Sequence, residues 1–342
     1  TMLRLGFRRC ARRFSTLTSY AEQRRSNFRD ISQRFPGWTA YPHRGPVDAL
    51  PLGDFIKRFD EIPTGESRED IVTLTGRVMG RRNAGKNLVF LELRSGQDEV
   101  QLQLNRRFFQ GLLDGPQDFT ESAATVRRGD VVGVTGHVGR TDRGRLTLYA
   151  HTLSLLSPCL HDVPKDHFGL KDPDFRWRHR HLDMMINHSV ISRLTARAKI
   201  VQSIRQTLEA ESFLEVETPM LAHAAGGATA RAFETTAHGG VKAQRLYLRI
   251  APELWLKRMV IGGMHRVFEI GKCFRDEGTD LTHHPEFTTV EAYAAFWCAS
   301  DMMDLTERVL ENTAKAVLGG ESYVPLDSGH QVNFQGPYKY TQ

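Results

Sequence analysis

Cysteine is scarce: the 342 residues hold four, Cys10, Cys159, Cys273 and Cys298, far apart and without a CxxC pair. That spacing argues against a disulfide framework or a zinc site and points to a reducing compartment. No apolar run approaches the roughly 20 residues that span a bilayer, so no membrane partner is expected. Neither GxGxxG nor GxxxxGK[ST] occurs, which argues against Rossmann or Walker phosphate binding. Acids are nearly missing from the start. Residues 1–35 contain nine arginines, no lysine, and only Glu22 and Asp30.

What is present is a globular chain with 40% hydrophobic residues and a net charge of +6. A single core rarely grows beyond about 250–300 residues, so two domains are expected. In the first segment Leu3, Phe7, Cys10, Phe14 and Leu17 recur at helical spacing, with Arg8, Arg9, Arg12 and Arg13 opposite. An Arg-rich, acid-poor amphipathic start has the composition of a mitochondrial transit peptide, here over 1–35, and implies a matrix protein. The alternative is a basic arm that touches nucleic acid. Residues 1–35 are accordingly expected to lie outside the fold.

Prolines and glycines over 36–65 mark a linker and docking segment around "GDFIKRFDEI". Residues 66–158 change to short strands, with Val72, Leu74 and Val78 alternating and Val89, Leu91 and Leu93 facing away from Phe90, Glu92 and Arg94. "NAGKN" and "TDRGR" read as hairpin turns and "RRFFQGLL" as an intervening helix. Five strands with one helix suit a small closed barrel, the oligonucleotide-binding barrel (OB-fold) being the leading candidate. Residues 159–181 read as an interdomain linker, either a solvated connector or an RNA contact.

From 182 to 342 helices alternate with antiparallel strands, so the fold class is α+β. "SRLTARAKIVQSIRQTLEAES" reads as a long helix capped by Asn187 or Ser189, with Leu194, Ala198, Val201, Ile204 and Leu208 on one face. Pro252 takes the first position of the helix in "APELWLKRMVI", and Gly319 and Gly320 end the last long helix. Between two apolar runs lies "FRDEGTDLTHHPEFTTVEAYAAF". Period two puts Val267, Glu269, Cys273 and Arg275 on one face with Phe287, Glu291 and Tyr293, and Phe268, Ile270, Phe274, Val290, Ala292, Ala294 and Phe296 on a core-like face. Buried charge needs a partner. Arg275 suits phosphate or carboxylate, Phe287 offers a stacking plane, Glu277 can accept from an exocyclic amine, and His283 and His284 could meet distal phosphates. The alternative is a surface hairpin with ordinary ion pairs.

"RVFEIGKCFRDEG…HHPEFTTVEAYAAF" resembles motif 2 of the class II aminoacyl-tRNA synthetases, and "FLEVETPML" resembles their motif 1. "GGATARAF", "YLRIAPELWLKRMVIGG" and "GRVMGRRNAGKNLVFLELR" resemble the lysine, aspartate and asparagine subclass, specifically its lysyl branch. The resemblance covers roughly 50 to 325. It implies an OB-fold anticodon domain over 66–158 and a class II catalytic domain over 182–342. It also implies activation of lysine by ATP, with Mg²⁺, and transfer to tRNA(Lys).

By this resemblance Arg275 is the catalytic residue, holding the α-phosphate and the lysine carboxylate. Phe287, Glu277 and His283 complete the ATP site. Gly227 and Glu253 take the α-amino group, although a carboxylate in a first helical turn can simply answer the dipole. Glu291 and Tyr293 receive the ε-ammonium, and Phe90, Arg94 and Gln101 bind the anticodon. No protein metal ligands are assigned. The helix Ile191–Glu211 is expected to build a homodimer, or else to pack within its own domain. Thr282 and Arg145 depart from the family, which usually has an arginine and a glutamate there. The sequence stops before anything like motif 3, so a truncated, incomplete catalytic domain, inactive by itself, is expected. An aspartyl or asparaginyl enzyme and a non-catalytic tRNA-binding paralogue are the alternatives.

Overall fold

The computed structural model describes residues 20–164, 170–238, 243–280, 282–321, 323–325, 329–336 and 338–340. The expected stripe from Leu3 to Leu17 lies outside them. The chain divides after Ser192 into two compact units.

The first unit is built on alternation. Strands β1 (Ser67–Asn83), β2 (Leu88–Ser95), β3 (Asp98–Asn105), β4 (Gly111–Leu112), β5 (Val131–Arg140) and β6 (Leu146–Ser157) form one sheet in the order β3-β2-β1-β5-β6-β4. The parallel pairing of β3 with β6 closes it into a barrel and removes its open edges. Every second residue, among them Leu74, Leu91, Leu93, Leu102, Val134, Val138 and Leu148, is fully buried inside. The turns fall at 84–87 and 141–145, where "NAGKN" and "TDRGR" place them.

Two segments correct the sequence reading. "RRFFQGLL" is a turn leading into β4, not a helix. The Asn105 side chain accepts from the Arg107 amide at 3.1 Å, and Gly111 sits at φ +108°, where a Cβ would collide with Pro116 and Gln117. The barrel helix is instead α3 (Phe119–Thr125), whose N-terminus Asp118 caps by accepting from Thr120 and Glu121 at 2.9 and 3.0 Å. Second, the exclusion of 1–35 from the fold fails over 20–34, which form a helix, α1. Phe28 and Ile31 of α1 join the barrel core, as do Leu52, Phe55 and Phe59 from one face of α2 (Leu52–Phe59). Arg24 is 1% exposed. Its Nη2 donates to both carboxylate oxygens of Asp130 at 2.7 and 2.6 Å, and its Nη1 to the Thr125 carbonyl at 2.6 Å. A solvated leader cannot provide that pairing; composition alone does not distinguish it from a helix whose arginine is desolvated.

Part of the expected linker is helical too. α4 (Pro173–Arg178) and α5 (Arg180–Ile186) are joined at the buried Asp183, which accepts from Arg176, Arg180 and Asn187 at 2.8, 3.0 and 2.7 Å. α6 (His188–Ala210) follows and ends in the second unit.

In the second unit β7 (Leu214–Glu215), β11 (Arg266–Phe274) and β12 (Glu286–Ala294) form one sheet. β8 (Leu221–Ala222), β9 (Glu234–Ala237) and β10 (Gln244–Leu248) form another, and β13 (Tyr323–Pro325) with β14 (Gln331–Asn333) a third. Phe268, Ile270, Ala292 and Ala294 pack against Ile204 and Leu208 of α6 and Leu305 of α8 (Ala299–Leu318). The core-like face therefore holds, except at its end: Phe296 lies past the strand at φ 65° and is 93% exposed, and Val290 is exposed as well. Leu194 and Ala198 of the α6 stripe are also exposed. α8 ends at Gly319 in the left-handed conformation. α7 (Glu253–Ile261) begins one residue later than the sequence suggests, with Pro252 as its N-cap. Among the described residues no helix is long and apolar enough to cross a membrane.

Removing one partner of a buried pair leaves the other charge uncompensated, at a cost of about 3–5 kcal/mol. Arg24→Met is expected to lower unfolding free energy by that order in urea titrations, and the Arg24→Met/Asp130→Leu double variant by less. A single variant as stable as the parent would show that α1 is not held by this pair.

Candidate active site and barrel cleft

The register of β11 and β12 sets the site of the second unit. Cys273 lies opposite Phe287, Glu269 opposite Glu291, and Val267 opposite Tyr293, so all share one face. Arg275 follows β11, its amide donating to the Pro285 carbonyl at 2.9 Å. Its guanidinium stands 5.0 Å from the centroid of the Phe287 ring, with Nε buried and unbonded among the described residues. A half-buried guanidinium beside a ring, with an unused donor, is suited to an anion.

The loop beyond is organised by Asp280. It accepts from the Thr282 amide at 2.6 Å, the Thr282 hydroxyl at 2.9 Å and the His283 amide at 2.7 Å, with His283 Nδ1 2.9 Å from its second oxygen. The Thr282 and His283 donors hold the Asp280 carboxyl well below its usual range. Thr282 thus staples the loop. Glu277 and His283 are exposed, whereas Arg275 and Phe287 are half-buried. Arg231, which the sequence reading left unassigned, pairs with Asp276 at 3.0 Å, next to Arg275.

Farther along the face the Tyr293 hydroxyl donates to Glu291 at 2.9 Å. Burial raises the Glu291 carboxyl above its ordinary range, against the Tyr293 hydrogen bond, and the nearby Glu253 charge adds to the rise. Burial and Glu291 push the Tyr293 phenol well above its usual value. Lys257 Nζ lies 2.5 Å from Glu253 and 5.9 Å from the centroid of the Tyr293 ring. The protein's own ammonium thus occupies the ground between these groups. Gly227, at φ +90°, approaches α7 so closely that a Cβ would stand 3.1 Å from that of Glu253. Gly227, Glu253, Glu291 and Tyr293 therefore come together, as two carboxylates and a phenol suited to amines.

The floor of the site was missed by sequence reasoning. Arg249 and Glu269 are each 4% exposed. Arg249 Nη1 donates to Glu269 at 2.5 Å and to the Thr218 hydroxyl at 2.8 Å; its Nε donates to the Lys272 carbonyl at 2.8 Å. The Thr218 hydroxyl in turn donates to Glu269 at 2.6 Å. Gly271 leaves room for this guanidinium, which any Cβ there would strike. Glu269, an inward carboxylate in the sequence, is thus a structural partner. The only advance signal was an arginine in the apolar strand "LYLRI".

In the first unit a cleft of about 740 Å³ is lined by Arg81, Arg82, Phe90, Glu92, Gln101 and the 141–145 turn. The Arg82 guanidinium lies 4.7 Å from the Phe90 centroid. Gln101 is 8% exposed and donates to the Thr147 hydroxyl at 3.1 Å. Arg145 pairs with Glu99 at 2.9 Å and lies 3.7 Å from Glu92, so carboxylates already answer the charge it brings. Arg94 does not line this cleft. It pairs with Glu99 at 3.1 Å and donates to the Met185 carbonyl at 3.3 Å.

The raised Glu291 carboxyl has a consequence for stability. Its folded pKa lies above the unfolded value, so its contribution is full below the unfolded pKa of about 4.3 and is lost as pH rises through the folded one. Glu291→Gln is expected to flatten the fall of the thermal midpoint as pH is raised from about 4 toward neutrality. A variant curve parallel to that of the parent would refute a desolvated carboxylate.

Comparison with known proteins extends over both units. Residues 172–341 match the model of tRNA synthetases class II (D, K and N), and residues 72–156 that of the OB-fold nucleic acid binding domain. Lysine–tRNA ligase cla4 of Cladosporium cladosporioides is 39% identical over 323 residues, covering 92% of this chain and 52% of the relative. A lysine–tRNA ligase of Methanoculleus marisnigri is 40% identical over 304 residues, covering 89% and 57%. One of Rhizobium johnstonii is 37% identical over 303 residues, covering 88% and 57%. The chain thus spans about half the length of the relatives it matches. Residues 172–341 belong to the class II tRNA synthetases (D, K and N), and an OB-fold nucleic acid binding domain precedes them over 72–156.

Proposed function

We propose that the protein serves as a lysine–tRNA ligase, joining lysine to ATP and then to tRNA(Lys). The observation that carries this reading is the pocket around Glu291, where a desolvated carboxylate bonded to Tyr293 at 2.9 Å lies near Glu253 and on the same face as Phe287. Such a pocket favours a substrate with a cationic tail. An aspartate or asparagine side chain would meet repulsion or an unpaired acceptor there.

In this reading Arg275 neutralises the α-phosphate and aligns the lysine carboxylate, whose oxygen attacks the α-phosphorus as pyrophosphate leaves. A terminal ribose hydroxyl of the tRNA then takes the lysyl group and AMP departs. Catalysis is positioning and charge neutralisation, with no protein nucleophile. Phe287, Glu277 and His283 are the proposed ATP contacts, and the Phe90 cleft the proposed anticodon site. Mg²⁺ is proposed as a companion of the ATP, bound largely by phosphate oxygens. Among the described residues no group of three or more candidate ligands could hold a metal, so no step is assigned to the ion. The exposed Leu194 and Ala198 of α6 support a homodimer through Ile191–Glu211. The basic amphipathic pattern over 1–19 supports targeting to the mitochondrial matrix.

The full-length protein is expected to catalyse lysine-dependent ATP–pyrophosphate exchange, with aspartate and asparagine inactive. Loss of one transition-state donor typically costs about 10²–10³ in rate, so Arg275→Ala should lower exchange by that order while RNA affinity is retained. Aspartate- or asparagine-dependent exchange would overturn the lysine assignment, and tRNA binding without any exchange would favour the non-catalytic paralogue. Residues 1–19 fused to a fluorescent protein should enter mitochondria; diffuse fluorescence would remove the targeting proposal.

A further inference from the structure

The barrel carries aromatic rings that the cleft around Phe90 does not use. Strand registers place Phe90 of β2 opposite Gln103 of β3, Gln103 opposite Tyr149 of β6, and Tyr149 opposite His137 of β5. These four side chains form one row across the outer face, alternating with the buried core positions. Tyr149 therefore stands two strand spacings from Phe90, on the order of 10 Å.

The far end of the row is built as a platform. The His137 and Tyr149 rings stack with centroids 4.9 Å apart and an interplanar angle of 11°. His137 Nδ1 lies 2.8 Å from His151 Nε2, so the two imidazoles share one proton and fix each other's orientation. Burial and the neighbouring His151 lower the His137 pKa, which disfavours the charged form of the ring. Phe108 adds an edge contact 6.3 Å away and is 52% exposed. Two imidazoles alone make no metal site, and among the described residues no third ligand joins them. A partly buried, locked aromatic stack on an OB barrel, with the exposed Phe108, Arg106 and Arg107 beside it, has the chemistry of a base-stacking surface.

We propose that the Tyr149–His137 stack is a second single-stranded RNA site, continuous with the Phe90 cleft, which holds nucleotides flanking those in the cleft. This rests on the reading of the barrel as the RNA-binding part of the protein. Stacking is tolerant of base identity, so the site would add affinity and register without reading sequence.

The test uses the whole protein and fluorescein-labelled oligouridylates of three and ten nucleotides, followed by anisotropy. The decamer should bind more tightly than the trimer. Tyr149→Leu keeps the bulk without a π face and is expected to weaken the decamer about ten-fold while the trimer is unchanged. Tyr149→Phe should bind both as the parent does. Decamer affinity unchanged in Tyr149→Leu, or equal losses at both lengths, would overturn the platform. Phe90→Leu separates the two readings: if it weakens both lengths while Tyr149→Leu weakens neither, the cleft stands and the platform falls. If Phe90→Leu changes neither length, the barrel is not the RNA site at all.

Discussion

Arg249 and Glu269 are charged, almost wholly enclosed, and bonded to one another through the face on which the synthetase-domain site is built. Burying either alone would be prohibitive. Together with the Thr218 hydroxyl they satisfy most of each other's polar groups and tie three segments into one unit: the stretch after β7, the end of β10, and β11. Positions opposite and beyond Glu269 inherit that geometry. Because Glu269 faces Glu291, the network brings positive charge beneath a second carboxylate, and Arg249 offsets part of the rise that burial imposes on it.

The same charges set the electrostatics around Glu291. Glu253 and Glu269 both lie within electrostatic reach of Glu291, and Arg249 offsets part of their effect on it. What remains favours an ammonium, and Lys257 supplies one from within the protein, paired to Glu253 and close to the Tyr293 ring.

In the barrel the corresponding constraint is closure. Pairing β3 with β6 leaves no free edge and turns the alternating side chains of every strand outward in rows. Polar and aromatic groups that are distant in sequence then become neighbours, as Gln101 and Thr147 do at 3.1 Å. α1 closes over another part of the unit through Arg24 and Asp130, which are 106 residues apart.

Much of this was legible in the chain. Period-two alternation and turn residues gave the barrel strands and the β11–β12 arms, because a half-buried strand leaves a direct record of its two faces. The same alternation puts Arg275, Phe287, Glu291 and Tyr293 on one face. Helices were less legible where local chemistry competed with periodicity: Asn105 and Gly111 turned an expected helix into a turn and a short strand, and Asp118 started the real one downstream. The partner of each charge was not legible. Glu269 could be placed on an inward face but not paired, and Arg24 looks like any other arginine of a basic segment; whether each meets water or a buried partner depends on segments up to 106 residues away. Sequence by itself determined which faces are apolar and which residue types line the site, since these follow from local alternation. The tertiary structure alone decided which charges are paired and desolvated, because burial and Coulombic attraction act through space and leave no periodic trace along the chain.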